Sequence, residues 1–166
     1  MKVITLGIDV AKNVFQLHGV DERGKVVLSR RLSRGRLMEA VANLPPCLIG
    51  MEACIGANYW AREFEKMGHT VKRMSVKFVR PYVKTNKNDS LDPEGICEAV
   101  SRPRMRFVAV KKIAQQDLQA LHRCRTFLMK TRIALINQIR GLLLEYGGDS
   151  QICWEGAPDS SQPSRG

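Results

Sequence analysis

Three β-branched runs follow one another at the start of this chain with hardly any sequence between them. Val3-Ile4-Thr5-Leu6-Gly7-Ile8-Asp9-Val10 is of strand length and ends at an acidic residue. Val14-Phe15-Gln16-Leu17-His18-Gly19-Val20 follows, then the turn residues Asp21-Glu22-Arg23-Gly24, then Lys25-Val26-Val27-Leu28-Ser29-Arg30-Arg31-Leu32. A parallel return needs a crossover of about a dozen residues, so these runs are restricted to antiparallel hairpins. The sheet therefore begins as a meander.

After the meander the pattern changes. Ser33 is placed to cap a helix running through Asn43, which Pro45-Pro46 prevents from continuing. Cys47-Leu48-Ile49-Gly50-Met51-Glu52 reads as a short buried strand that again ends at a carboxylate. Gly56 to Met67 forms a helix with Trp60, Phe64 and Met67 on one stripe and Gly68 as terminator, and His69 to Met74 the next strand. Residues 84–88 read as a loop feeding a helix that contains Ile96, Cys97, Ala99 and Val100, with Pro93 tolerated only near its first turn. The order βββαβαβ is that of a mixed α/β fold with late crossover helices.

From about Gln115 to Tyr146 runs one helical pattern without proline. Leu118, Leu121, Leu128, Leu135, Ile139 and Leu142 make an apolar stripe, interrupted at seam positions by Arg125 and Arg132. One such helix cannot bury that stripe alone, so it needs a partner in this chain or another. Beyond Gly147 the residues are those of turns and linkers. The expected division is a domain over 1–110, a basic helical arm over 111–147 and a poorly ordered tail over 148–166.

Charge follows the same division. Residues 1–100 hold 16 basic and 11 acidic side chains, 101–147 hold 10 and 2, and 148–166 hold 1 and 3, which together give the net +11. Only Asp117 and Glu145 oppose the basic residues of the arm, so internal pairing cannot neutralise them and phosphate contact is favoured over a merely solvated face. Lys111, Lys112, Arg123, Arg125, Lys130, Arg132 and Arg140 are the candidates there. Lys84, Lys87, Arg102, Arg104 and Arg106, the last beside the stacking ring of Phe107, extend the candidate nucleic-acid surface. No apolar run approaches the roughly 18 residues of a membrane span and the N-terminus lacks a secretory pattern, so a cytoplasmic protein without membrane association is expected.

Five scattered cysteines without a CxxC pair suggest neither a disulfide framework nor a thiolate zinc site; small buried or half-buried thiols are expected. His18, His69 and His122 lack metal-ligand spacing, and Trp60 reads as core. Neither a phosphate loop nor a dinucleotide fingerprint is present, which argues against ATP or NAD use.

The remaining signal is acidic. Asp9 and Glu52 each end an apolar strand, and Asp89 and Asp92 lie three residues apart where a helix begins, so that both face the sheet edge. Asp9, Asp89 and Asp92 have ordinary structural readings, as turn residue, N-cap and first-turn acid. Glu52 sits in an unusually apolar setting, where an unpaired charge is costly. Four convergent carboxylates repel unless a hard cation lies between them, and oxygen-only ligands suit Mg²⁺ or Mn²⁺. Two such ions serve phosphoryl transfer, and a basic surround suits a nucleic-acid substrate.

Ile8-Asp9-Val10-Ala11-Lys12, Met51-Glu52-Ala53-Cys54 with Tyr59-Trp60-Ala61, Pro81-Tyr82-Val83-Lys84, Asn86-Lys87-Asn88-Asp89 with Asp92, and Ala134-Leu135-Ile136-Asn137-Gln138-Ile139-Arg140-Gly141-Leu142-Leu143 together carry a resemblance. From residue 3 to about 147 the chain resembles the DEDD transposases of bacterial insertion sequences, a family that also contains site-specific invertases. The resemblance implies an RNase H-like, RuvC-like α/β fold, a mixed sheet with flanking helices followed by a long coiled-coil helix. It implies that Asp9, Glu52, Asp89 and Asp92 are the catalytic, metal-binding tetrad. It further implies a bacterial protein acting on DNA, with a structured guide RNA as partner and a homodimer or higher oligomer formed through the long helix. The chain departs from the family pattern at Ser90-Leu91, Pro93 and Gly95, and in place of a second, serine-bearing domain it carries a polar tail. The expected function is accordingly the N-terminal catalytic portion of a metal-dependent transposase or recombinase. The alternative is a catalytically incomplete nucleic-acid-binding or dimerisation protein.

Overall fold

A computed structural model of the chain describes residues 2–82 and 92–148, the side chain of Asp92 excepted. Lys84, Lys87 and Asp89 lie outside the described residues, as does the tail from residue 149. The chain divides into two units after Lys111.

The first unit is built on a six-stranded sheet of order β3-β2-β1-β4-β5-β6. β1 (Thr5–Val10), β2 (Val14–Val20) and β3 (Val26–Ser33) form the expected antiparallel meander. Asp21 Oδ1 accepts the N–H groups of Arg23 and Lys25, and Gly24 takes a positive φ of 76°, which together close the second hairpin. β4 (Leu48–Glu52) and β5 (Thr70–Met74) then add parallel to β1 and to each other. The crossovers to them run through α1 (Arg34–Ala42) and α2 (Ala57–Lys66). Mixed sheet and flanking helices match the RNase H-like, RuvC-like architecture.

Alternation sorts the side chains onto the two faces. Leu6, Ile8, Phe15, Leu17, Ile49 and Met51 point into the main core, where they meet Leu37 and Val41 of α1 and Trp60, Ala61 and Phe64 of α2. Trp60 is core, as its helical spacing predicts, with Phe15 edge-on at 5.1 Å and Phe64 stacked at 5.8 Å. Gly68, with a φ of 90°, follows the end of α2 as expected.

On the opposite face lies α4 (Asp92–Val100), with Pro93 in its first turn, where the missing N–H costs nothing. Ile96, Ala99 and Val100 form a smaller cluster with Met74 and Val79. Its axis can approach the sheet because Gly7 and Gly50 are paired across β1 and β4 directly beneath it. A Cβ on Gly50 would stand 2.8 Å from Cβ of Val100.

Several local expectations are corrected. Ser33 occupies the N-cap position of α1 but makes no side-chain cap bond; it is also the last residue of β3, and the Arg34 N–H finds the Asn13 carbonyl instead. A short helix α3 (Val76–Val79), a 3₁₀ turn at Arg80–Tyr82 and a two-residue strand β6 (Phe107–Val108) were not legible in the pattern. β6 pairs antiparallel with β5 through Arg73–Val108 and Met74–Phe107, too short a run for periodicity to register. Cys47 and Cys97 are buried and Cys54 half-buried as expected, but Cys124 is exposed.

The second unit contains α5 (Ile113–Glu145), a helix of 33 residues. It begins two residues earlier than periodicity suggests, where the Lys112 N–H donates to Gln115 Oε1 at 3.0 Å ahead of the leucine stripe. None of its residues is buried. Leu118, Leu121, Leu128, Leu135, Ile139 and Leu142 are all exposed, Leu121 by 68%. The long helix is present; no coiled-coil partner accompanies it among the described residues. Among the described residues, no helix is long and apolar enough to cross a membrane.

Candidate metal and nucleic-acid site

Both strand-end carboxylates belong to the face that carries α4. On β1 that face holds Thr5, Gly7 and Asp9; on β4 it holds Leu48, Gly50 and Glu52. The parallel register pairs Thr5 with Leu48, Gly7 with Gly50 and Ile8 with Met51. One further step in the same register sets Asp9 beside Glu52, at the carboxyl ends of adjacent parallel strands, where open α/β sheets bind their ligands. Both residues are half-buried.

The loop after Glu52 is tied to the same edge. Cys54 Sγ donates to the Val10 carbonyl at 3.4 Å, and the Ala53 N–H to the Met74 carbonyl at 2.7 Å. Burial pushes the Cys54 thiol up; Glu52 and Asp9 push it further, while a backbone hydrogen bond and Arg73 pull the other way.

The helix that bears Asp92 reaches this edge by its first turn. A Cβ on Gly7, two residues before Asp9, would lie 2.1 Å from the Pro93 carbonyl oxygen, so the backbone next to Asp92 passes over β1. Cys97 of the same helix donates its thiol to the Thr5 carbonyl at 3.7 Å. Asp89, and the side chain of Asp92, lie outside the described residues. Among the described residues no group of three or more His, Cys, Asp or Glu side chains is arranged to hold a metal ion. The two strand-end acids are thus brought together, and the backbone of the third is delivered by α4. All four candidate donors are carboxylate oxygens, the set that suits a hard divalent cation.

The basic candidates separate into different settings. Lys112, Arg123, Arg125, Lys130, Arg132 and Arg140 lie along α5 or at its cap. Lys111 is held in the first unit, its N–H donated to Asn58 Oδ1 at 3.0 Å and its carbonyl accepting from Arg62 at 2.8 Å. Arg102 pairs with Glu98 and lies 5.6 Å over the Tyr82 ring while its side chain stays exposed. Arg104 is exposed and Arg106 is exposed, but the Phe107 ring beside them carries Lys72 at 5.3 Å instead.

Two arginines outside the candidate set are engaged within the first unit. Arg73 on β5 is only 3% exposed, donates to the Ala109 carbonyl and leaves its Nε without a hydrogen-bond partner among the described residues. Burial pulls its guanidinium down, opposed chiefly by Cys54 and Glu65. Arg34 lies 5.1 Å over the Trp60 ring. Their charge was countable in the sequence, but their neighbours come from distant strands and helices.

Residues 6–147 match the IS110-type DEDD family described as transposase. Over 147 residues the chain is 51% identical to a probable family 20 transposase of Pseudomonas aeruginosa, covering 89% of this chain and 44% of that one. It is 54% identical over 142 residues to the transposase for insertion sequence element IS1111A of Coxiella burnetii, covering 86% and 39%. It is 46% identical over 145 residues to the transposase for insertion sequence element IS1328 of Yersinia enterocolitica, covering 87% and 43%. The chain spans less than half the length of each of these relatives.

Proposed function

The chain belongs to the DEDD transposase family of IS110 type, and on that premise we propose that it is the carboxylate-bearing portion of a metal-dependent DNA transposase or recombinase. The observation that carries this reading is the register that sets Asp9 beside Glu52 under the first turn of the helix headed by Asp92. Asp9, Glu52, Asp89 and Asp92 would hold Mg²⁺ or Mn²⁺, which supplies an activated oxygen nucleophile and stabilises the leaving oxygen of a phosphodiester. The chain's own part is to hold Asp9 and Glu52 on two hydrogen-bonded strands and Asp92 at the head of a helix packed closely over Gly7 and Gly50, which limits the reorganisation needed for binding.

The basic residues Lys84, Lys87, Arg102, Arg104, Arg106, Lys111, Lys112, Arg123, Arg125, Lys130, Arg132 and Arg140 are proposed to contact DNA and a structured guide RNA by counterion-releasing phosphate contacts. The exposed stripe of α5 favours pairing with another copy of the chain, because 33 residues of helix with no buried side chain lack the tertiary packing that stabilises helices. That supports assembly as a second role for the same polypeptide.

Titration calorimetry of the purified chain with Mg²⁺ and Mn²⁺ tests the metal reading. Binding in the millimolar range or tighter, lost on Asp9→Asn, is the expected result; undiminished binding by that variant would remove Asp9 from the site.

A further inference from the structure

The register of the meander extends the carboxylate row across the sheet. Asp9 pairs with Gln16 on β2, and Gln16 pairs with Arg31 on β3. Paired residues share a face, so Arg31, Gln16, Asp9 and Glu52 form one line across four neighbouring strands. Strands lie about 4.8 Å apart, which places the Arg31 backbone about 10 Å from that of Asp9, a gap that a bound strand and a long guanidinium side chain together span.

The face of β3 that bears Arg31 is open. Alternation puts Ser29 and Ser33 on the same face, each two residues from Arg31, and all three are exposed, whereas the residues of β2 on this face are half-buried. A hydroxyl, a guanidinium and a hydroxyl repeat about every 7 Å along this edge, all donors able to meet phosphate oxygens. Arg30, the next residue, is equally exposed but belongs to the other face, where it pairs with Leu17.

We propose that this strip of β3 is a backbone-binding track for the DNA strand presented to Asp9 and Glu52, with Arg31 as the positioning residue for a neighbouring phosphate. The inference rests on the metal-dependent reading of that carboxylate pair. It also differs from the bland role of edge-strand arginines, which is to discourage edge-to-edge pairing; Arg30 and Arg31 would share that role.

The test compares Arg31→Gln with Arg30→Gln, which remove the same charge from opposite faces of one strand. Fluorescence anisotropy of a labelled single-stranded DNA oligonucleotide is measured with the full chain, with and without Mg²⁺, over a range of salt. R31Q is expected to weaken binding about tenfold and to lower the slope of log K against log salt by about 1, R30Q to weaken it less than about twofold, and Arg31→Lys to recover part of the loss. Equal losses in the two glutamine variants, or a larger R31Q loss on the matching RNA than on DNA, overturn the proposal. If the R31Q and R30Q difference persists while Mg²⁺ leaves wild-type affinity unchanged, the track stands as a phosphate contact and the metal reading is decided by the calorimetric titration. If Mg²⁺ strengthens binding while the variants weaken alike, the track falls and the metal reading stands. Matching thermal melts of the variants establish that both are folded, and absence of any wild-type binding overturns the track outright.

Discussion

Gly7 lies directly beneath Pro93, so close that a single added carbon would stand 2.1 Å from the Pro93 carbonyl oxygen and 2.8 Å from the Cys97 nitrogen. Both obstructing atoms are backbone, so no rotamer change relieves the clash. The contact joins the strand that carries Asp9 to the helix that begins at Asp92.

Gly7→Ala is expected to displace α4 and to destabilise the fold by roughly 1–3 kcal/mol, as overpacking typically does. Gly50→Ala meets the Val100 side chain at 2.8 Å and should cost a comparable amount. Gly35→Ala, with nothing within 4 Å, is the control and should be neutral or stabilising by up to about 1 kcal/mol. Thermal and denaturant unfolding of the three variants checks the order.

Glu52→Gln is expected to remove the increase in melting temperature that Mg²⁺ confers on the wild-type chain, because an amide oxygen is a weaker ligand for a hard cation than a carboxylate. A variant that still gains the full increase would place the ion elsewhere. Melting curves at graded Mg²⁺ concentrations provide the measurement.

Burial pushes the thiols of Cys47 and Cys97 from 9.0 up to about 11. In the unfolded chain they lose their protons near pH 9, whereas in the folded chain they keep them, so the native state binds more protons between pH 9 and 11. Their stabilising contribution is therefore complete below pH 9 and declines as pH rises towards 11. Unfolding curves taken across that range should show the decline, and Cys47→Ala should make it shallower. At neutral pH, an alkylating reagent should modify exposed Cys124 well before Cys47 or Cys97, as peptide mapping will show.

Leu128→Arg, at an exposed stripe position, is expected to shift the chain towards monomer in sedimentation experiments, whereas Arg125→Leu and Arg132→Leu should strengthen association by removing charge from the seam. A wild-type chain that stays monomeric at high concentration would reject pairing through α5.

The amino-acid pattern by itself determined what depends on neighbouring residues. Short connections compelled the meander, i,i+3 and i,i+4 spacing placed Trp60 and Phe64 in the core, and Gly68 ended α2 where its left-handed backbone was needed. The strand-end positions of Asp9 and Glu52 were equally visible, because an apolar run and the acid that ends it are contiguous. Tertiary structure decided the rest. That β4 pairs parallel with β1, and in the register that puts Gly50 beside Gly7, depends on residues more than forty apart. That register set Glu52 beside Asp9, which the hairpin registers had aligned with Gln16 and Arg31, and the separate β5–β6 pairing brought Lys72 to Phe107, while Arg73 lies buried with its guanidinium on the Ala109 carbonyl. Periodicity assigns a side chain to a face, but a strand's partner and register are chosen by the packing of the whole sheet, since a slip of one residue would turn every side chain to the opposite face.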